Sequence, residues 1–179
     1  MDYVDINKDG RLDIVLCEIL DDFPLSSELI WLEQPADWSQ PWNVHPIGSI
    51  HPDRIVGLVV ADINSDGKED VFVGSYSRGD RAKDGAVSVK HPLGRLAWFE
   101  QPTDPYEKWI RHDISRRKRG MFDKFIPLDM DQDGDIDFVS TRGNSVPYDG
   151  VFWLEQVRTK QPIKSFRKAR QIDSEEMGL

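Results

Sequence analysis

A nine-residue pattern recurs three times in this chain and sets the terms for everything around it. The copies are Asp5-Ile-Asn7-Lys-Asp9-Gly10-Arg11-Leu-Asp13, Asp62-Ile-Asn64-Ser-Asp66-Gly67-Lys68-Glu-Asp70 and Asp129-Met-Asp131-Gln-Asp133-Gly134-Asp135-Ile-Asp137. Each places oxygen-bearing side chains at positions 1, 3, 5 and 9, with glycine at position 6. A hard divalent cation such as calcium takes about six to eight oxygen ligands, and a tight loop offers them best from alternate positions. Glycine admits the positive φ of a sharp turn, so the ninth carboxylate can come back onto the ion. Position 7 (Arg11, Lys68, Asp135) is expected to give only its main-chain carbonyl. The third copy carries four carboxylates at the alternating positions where the others carry three and an asparagine, so it is expected to bind most tightly.

The residues after each loop decide its class. The runs Ile14-Val15-Leu16, Val71-Phe72-Val73 and Phe138-Val139 are β-branched or aromatic and read as strands. An EF-hand needs a glutamate at position 12 and flanking helices. Position 12 is Leu16, Val73 or Ser140, which excludes that class, and a dockerin-like loop for the same reason.

The net charge of −9 would suit a basic partner. Yet ten carboxylates sit at the alternating loop positions, more than the whole net charge, so the acidity belongs to the metal sites. This argues against nucleic acid as a partner. Cys17 is the lone cysteine, which leaves no intrachain disulfide and no cysteine metal site. The longest apolar run, Ile55 to Ala61, is too short to span a membrane. The N-terminus shows no signal-peptide pattern.

Two further elements keep step with the loops. One is Trp31-Leu-Glu-Gln-Pro, Trp98-Phe-Glu-Gln-Pro and Trp153-Leu-Glu-Gln; the other is Trp42-Asn-Val-His45-Pro-Ile47 and Trp109-Ile-Arg-His112-Asp-Ile114. The repeating unit is therefore strand A, metal loop, strand B, variable turn, strand C and strand D. Four short strands per repeated unit are the signature of propeller blades. The expected blades cover residues 1–53, 54–120 and 121–172, with a tail at 173–179. Pro127 fits strand A of the third blade if that strand is innermost.

The loops and their strands make the chain similar to FG-GAP or VCBS-type repeat propellers, the class of the integrin α-chain head, fungal propeller lectins and many secreted bacterial proteins. The resemblance spans about residues 1–156 and implies an all-β partial propeller with about three structural calcium ions. It implies an extracytoplasmic, non-catalytic binding or adhesion module, with carbohydrate or protein as the ligand. Two departures stand out. Only three blades are present, the first entered inside strand A, so the chain reads as the C-terminal part of a longer propeller or as a unit that self-associates. In the last blade Arg167 replaces the histidine of strand D, and Val157 to Ile172 can form only a poor strand.

Trp31, Trp98 and Trp153 are expected in the core between blades rather than as sugar platforms. His45 and His112 share one register, which points to a repeated structural hydrogen bond. The face opposite the metal loops gathers His51, Asp53 and Arg54, the inserted turn from about Ser75 to Lys90 (with Arg78, Asp80 and Arg81), and the basic run Arg116, Arg117 and Arg119. That face is the candidate recognition surface. No catalytic motif is present: Gly74-Ser-Tyr-Ser-Arg-Gly79 lacks the Lys-Ser/Thr of a phosphate loop, and no zinc pattern occurs. The alternative is the propeller part of a carbohydrate-active enzyme, a polysaccharide lyase or sugar dehydratase type, with its site on that same face.

Overall fold

The computed structural model describes residues 1–19, 27–50, 54–76, 96–115, 121–143 and 150–158. Every regular element among them is a β-strand: β1 (Asp2–Val4), β2 (Asp13–Ile19), β3 (Ser27–Glu33), β4 (Asn43–Ser49), β5 (Arg54–Ala61), β6 (Asp70–Tyr76), β7 (Leu96–Glu100), β8 (Ile110–Ser115), β9 (Phe125–Leu128), β10 (Asp137–Arg142) and β11 (Gly150–Leu154). They form three antiparallel sheets, each running in chain order: β1 to β4, β5 to β8, and β9 to β11. β5 packs on β1, β2 and β3, and β9 packs on β5, so the sheets stack side by side without closing. Among the described residues no helix is long and apolar enough to cross a membrane.

Each metal loop is the connection of an A–B hairpin. Val4 pairs with Asp13, Ala61 with Asp70 and Leu128 with Asp137, so the ninth loop residue always sits opposite the residue before the first. Burial follows from stacking. β5 alternates buried and half-buried residues, whereas β6 is buried from Asp70 to Ser75 because a sheet covers each of its faces. Val15, Leu29, Trp31 and Ile47 of the first sheet meet Ile55, Val71, Val73, Phe99 and Trp109 of the second. The other face of the second sheet, with Val59, Phe72 and Leu96, meets Phe122, Phe125 and Phe138.

The third sheet departs from expectation in one strand. Strand A of the third blade is short, since β9 covers only Phe125–Leu128, with an isolated bridge from Met121 to Gly143 before it. Phe122 instead turns inward and is fully buried. Two glycines allow this. A Cβ on Gly57 would lie 2.3 Å from the carbonyl oxygen of Phe122, and one on Gly74 would lie 2.7 Å from the Phe122 Cβ. Pro127 lies in β9, which is paired on one side only, so the missing N–H costs no ladder bond there. Of the expected strand D, Val157 and Arg158 are not in a strand, and residues 159–172 lie outside the described set, as does the tail at 173–179.

A second feature was not foreseen. The β3–β4 register shifts between Leu29 and Ile30, and the β7–β8 register shifts at the matching place between Leu96 and Ala97. Ile47 and Ile114, the last residues of the Trp-x-x-His-x-Ile pattern, are the bulged residues. The bulge leaves Trp31 directly opposite His45 and Trp98 directly opposite His112.

Candidate metal loops and the groups that hold them

The three loops share one backbone path. The position-6 glycines Gly10, Gly67 and Gly134 have φ of 87°, 82° and 94°. Position 4 is also left-handed, in the non-glycine residues Lys8, Ser65 and Gln132, which the sequence did not signal. This path points main-chain N–H groups inward at the carboxylates. Asp5 accepts from Asp9 N at 3.0 Å and from Gly10 N at 2.8 Å. Asp62 and Asp129 accept from the same two positions in their own loops. The position-5 carboxylates of Asp9, Asp66 and Asp133 accept from the N–H of position 7.

Position 9 is the best-buried carboxylate of each loop, with Asp13 and Asp70 at 0% exposure and Asp137 at 1%. One oxygen of each accepts from the N–H of loop position 2: Ile6, Ile63 or Met130. The other accepts from the N–H of the glutamine that ends strand C: Gln34, Gln101 or Gln156. Loss of water pushes the Asp70 carboxyl up to about 6 against the pull of these amides, and it pushes Asp13 up as well. Each loop thus concentrates negative charge that the bare chain holds at a cost.

Local cations answer that charge in two loops. The Arg11 side chain rests on Asp9 and that of Lys68 on Asp66, and the lysine holds the Asp66 carboxyl below its usual range. In the third loop Asp129, Asp131 and Asp137 bring carboxylate oxygens within 4.8 Å of one another, close enough to share one ion. Asp135 is buried there, 3.6 Å from Arg158, and its Oδ1 has no hydrogen-bond partner. Desolvation first, then the neighbouring carboxylates, raises the Asp135 pKa. Hard oxygen donors and concentrated charge fit a calcium ion. Asp5, Asn7, Asp9 and Asp13 would hold one ion, and Asp62, Asn64, Asp66 and Asp70 a second. Asp129, Asp131, Asp133 and Asp137 would hold a third. Arg11, Lys68 and Asp135 contribute at most their carbonyls.

Strand C supplies groups that sequence reasoning passed over. Glu33 accepts from Asn7 Nδ2 at 3.1 Å, from the Tyr106 hydroxyl at 3.0 Å and from Asn43 Nδ2 at 3.3 Å, and lies 2.9 Å from His45 Nε2. Burial alone would raise the Glu33 pKa, but the bonds from His45, Asn43 and Tyr106 outweigh it and lower it. The second sheet repeats the arrangement: Glu100 accepts from Asn64 Nδ2 at 3.4 Å and lies 2.7 Å from His112 Nε2. Both histidines therefore make the repeated structural contact that their register suggested. The glutamines reach further still. Gln101 Nε2 donates to the Ile6 carbonyl at 2.9 Å, and Gln156 Nε2 to the Ile63 carbonyl at 3.2 Å, so each ties its sheet to the preceding loop. The signal was present as the Glu-Gln that recurs after each tryptophan, but nothing in one sequence says which loop those side chains reach.

Of the candidate recognition surface, Arg54 is described: it opens β5, is half-buried, and its Nε has no hydrogen-bond partner. His51, Asp53, Arg78, Asp80, Arg81, Arg116, Arg117 and Arg119 lie outside the described residues. The strand-C tryptophans grade from buried Trp31 through half-buried Trp98 to Trp153 at 46% exposure.

Residues 5–73 match the family model of the FG-GAP-like repeat. No curated protein and no solved structure matches the chain. The matched stretch runs from the first position of loop one, through loop two and into β6. That stretch is similar to an FG-GAP-like repeat, and the all-β stack of sheets built around it has the architecture of a partial β-propeller.

Proposed function

We propose that the chain is a calcium-stabilised propeller repeat module that serves recognition outside the cytoplasm rather than catalysis. The observation that carries this is the threefold loop geometry, one backbone path with one set of inward N–H donors, joined in the third loop by converging carboxylates. The FG-GAP-like match supports it, since such repeats are typical of extracellular proteins and often hold calcium. The ion's role is structural. It would neutralise the loop carboxylates and fix the A–B hairpins, leaving the opposite face for a carbohydrate or protein ligand.

Calorimetric titration with calcium, paired with thermal melting in EDTA and in calcium, tests the reading. Uptake of three ions per chain, one per loop, and a rise in melting temperature are expected. A chain that takes up no calcium and melts alike in both buffers overturns it.

A further inference from the structure

Position 3 of the first two loops is asparagine, and an amide offers a cation its oxygen on one side only. Asn7 has its Oδ1 at 3.2 Å from Asp9 N, while Nδ2 donates outward to Glu33 Oε1 at 3.1 Å and to the Tyr106 hydroxyl at 3.2 Å. Nδ2 also lies 3.1 Å from Asp9 Oδ2. Asn64 repeats this: Oδ1 accepts from Asp66 N at 3.0 Å, and Nδ2 donates to Asp66 Oδ2 at 3.3 Å and to Glu100 Oε1 at 3.4 Å. An ionised carboxylate only accepts, so a flipped amide would set oxygen against oxygen. The glutamates are themselves fixed. His45 bonds Glu33 and stacks on Trp31 with ring centres 4.3 Å apart, and His112 bonds Glu100 and stacks on Trp98 at 4.2 Å. In the third loop position 3 is Asp131, which has no N–H to give, and the strand-C glutamate Glu155 is exposed.

We propose that Glu33 and Glu100 are positioning residues for the first two loops: each turns the position-3 asparagine so that its oxygen faces the loop interior, and each makes asparagine rather than aspartate the fitting residue there. The inference rests on the calcium reading above. Its consequence runs against simple charge counting. An added carboxylate ordinarily tightens a calcium loop, but Asn7→Asp beside Glu33 would place two carboxylates in contact.

The test is a double-mutant cycle in the full chain, Asn7→Asp with Glu33→Gln, read by chelator competition for calcium and by melting in EDTA. Asn7→Asp alone should weaken the first loop by about tenfold, the scale of one like-charge contact at a half-buried site. It should also lower the melting temperature in EDTA. Adding Glu33→Gln should restore both to wild type or better, and Asn64→Asp with Glu100→Gln should do the same. In the third loop Glu155→Gln should change nothing. Additive effects, or tighter binding in Asn7→Asp alone, overturn the proposal. A wild-type chain that takes up no calcium overturns the metal reading instead. Non-additive melting in EDTA would then still show that Glu33 holds the Asn7 amide, without an ion to hold it for.

Discussion

Asp70 and Asp66 lie four positions apart in one loop and do opposite work. Asp70 is sealed from water and spends both oxygens on the N–H groups of Ile63 and Gln101. Asp66 stands at the exposed tip and bonds the N–H and side chain of Lys68. In Asp70→Asn, the new NH₂ faces a buried N–H donor. Urea unfolding in EDTA should show a loss of about 1–3 kcal/mol, the cost of one buried unsatisfied donor. Asp66→Asn keeps an acceptor for Lys68 N and should stay within about 0.5 kcal/mol of wild type in EDTA. It should lose stability against wild type only when calcium is added. The alternating oxygens of the loop were legible in the sequence. The hydrogen-bond duty of position 9 was not, because its partner Gln101 lies 31 residues further along the chain.

Among elements, the hairpin connected by each metal loop and the strand set A to D could be read directly from spacing. Loop, tryptophan and histidine recur at matched intervals, and β2, β3, β5, β6 and β7 lie where that spacing puts them. The bulges at Ile47 and Ile114 were hidden, since one strand's sequence does not show which of its residues the partner strand will skip. The inward turn of Phe122 was hidden for another reason: it depends on space that Gly57 and Gly74 leave in a different sheet. Gly57→Ala should therefore be severe despite the small change, because the clash is with main chain that cannot swing aside. A loss of about 2 kcal/mol or more in urea is expected, within the range for overpacking. Gly143→Ala, with open space around it, should cost little.

For the whole molecule, the repeat lets equivalent positions in successive sheets be compared. Val59, Ala61, Ile63 and Phe72 are buried beneath the third sheet, at 8%, 7%, 4% and 1% exposure. The residues in the same register one unit later, Ile126, Leu128 and Met130, are 52%, 37% and 40% exposed, and Trp153 is 46% exposed where Trp98 is packed. A further sheet of the same pattern would cover this face, and a second copy of the chain would bring one. Sedimentation at rising concentration should show self-association, and Trp153→Lys should reverse it while leaving the calcium stoichiometry unchanged. A head-to-tail contact of this kind repeats the internal ones, so it closes a ring or extends a filament rather than forming a twofold dimer.

The glutamine links give the stack a direction. Gln101 of the second sheet grips the first loop, and Gln156 of the third grips the second, each at the carbonyl of loop position 2. These links couple the second and third sheets each to the loop before it, in the manner of a one-dimensional lattice with nearest-neighbour coupling. The third loop has three converging carboxylates and, among the described residues, no successor to clasp it. On that same lattice picture it would load by its own chemistry. On the calcium reading proposed above, the first two loops would load as coupled neighbours.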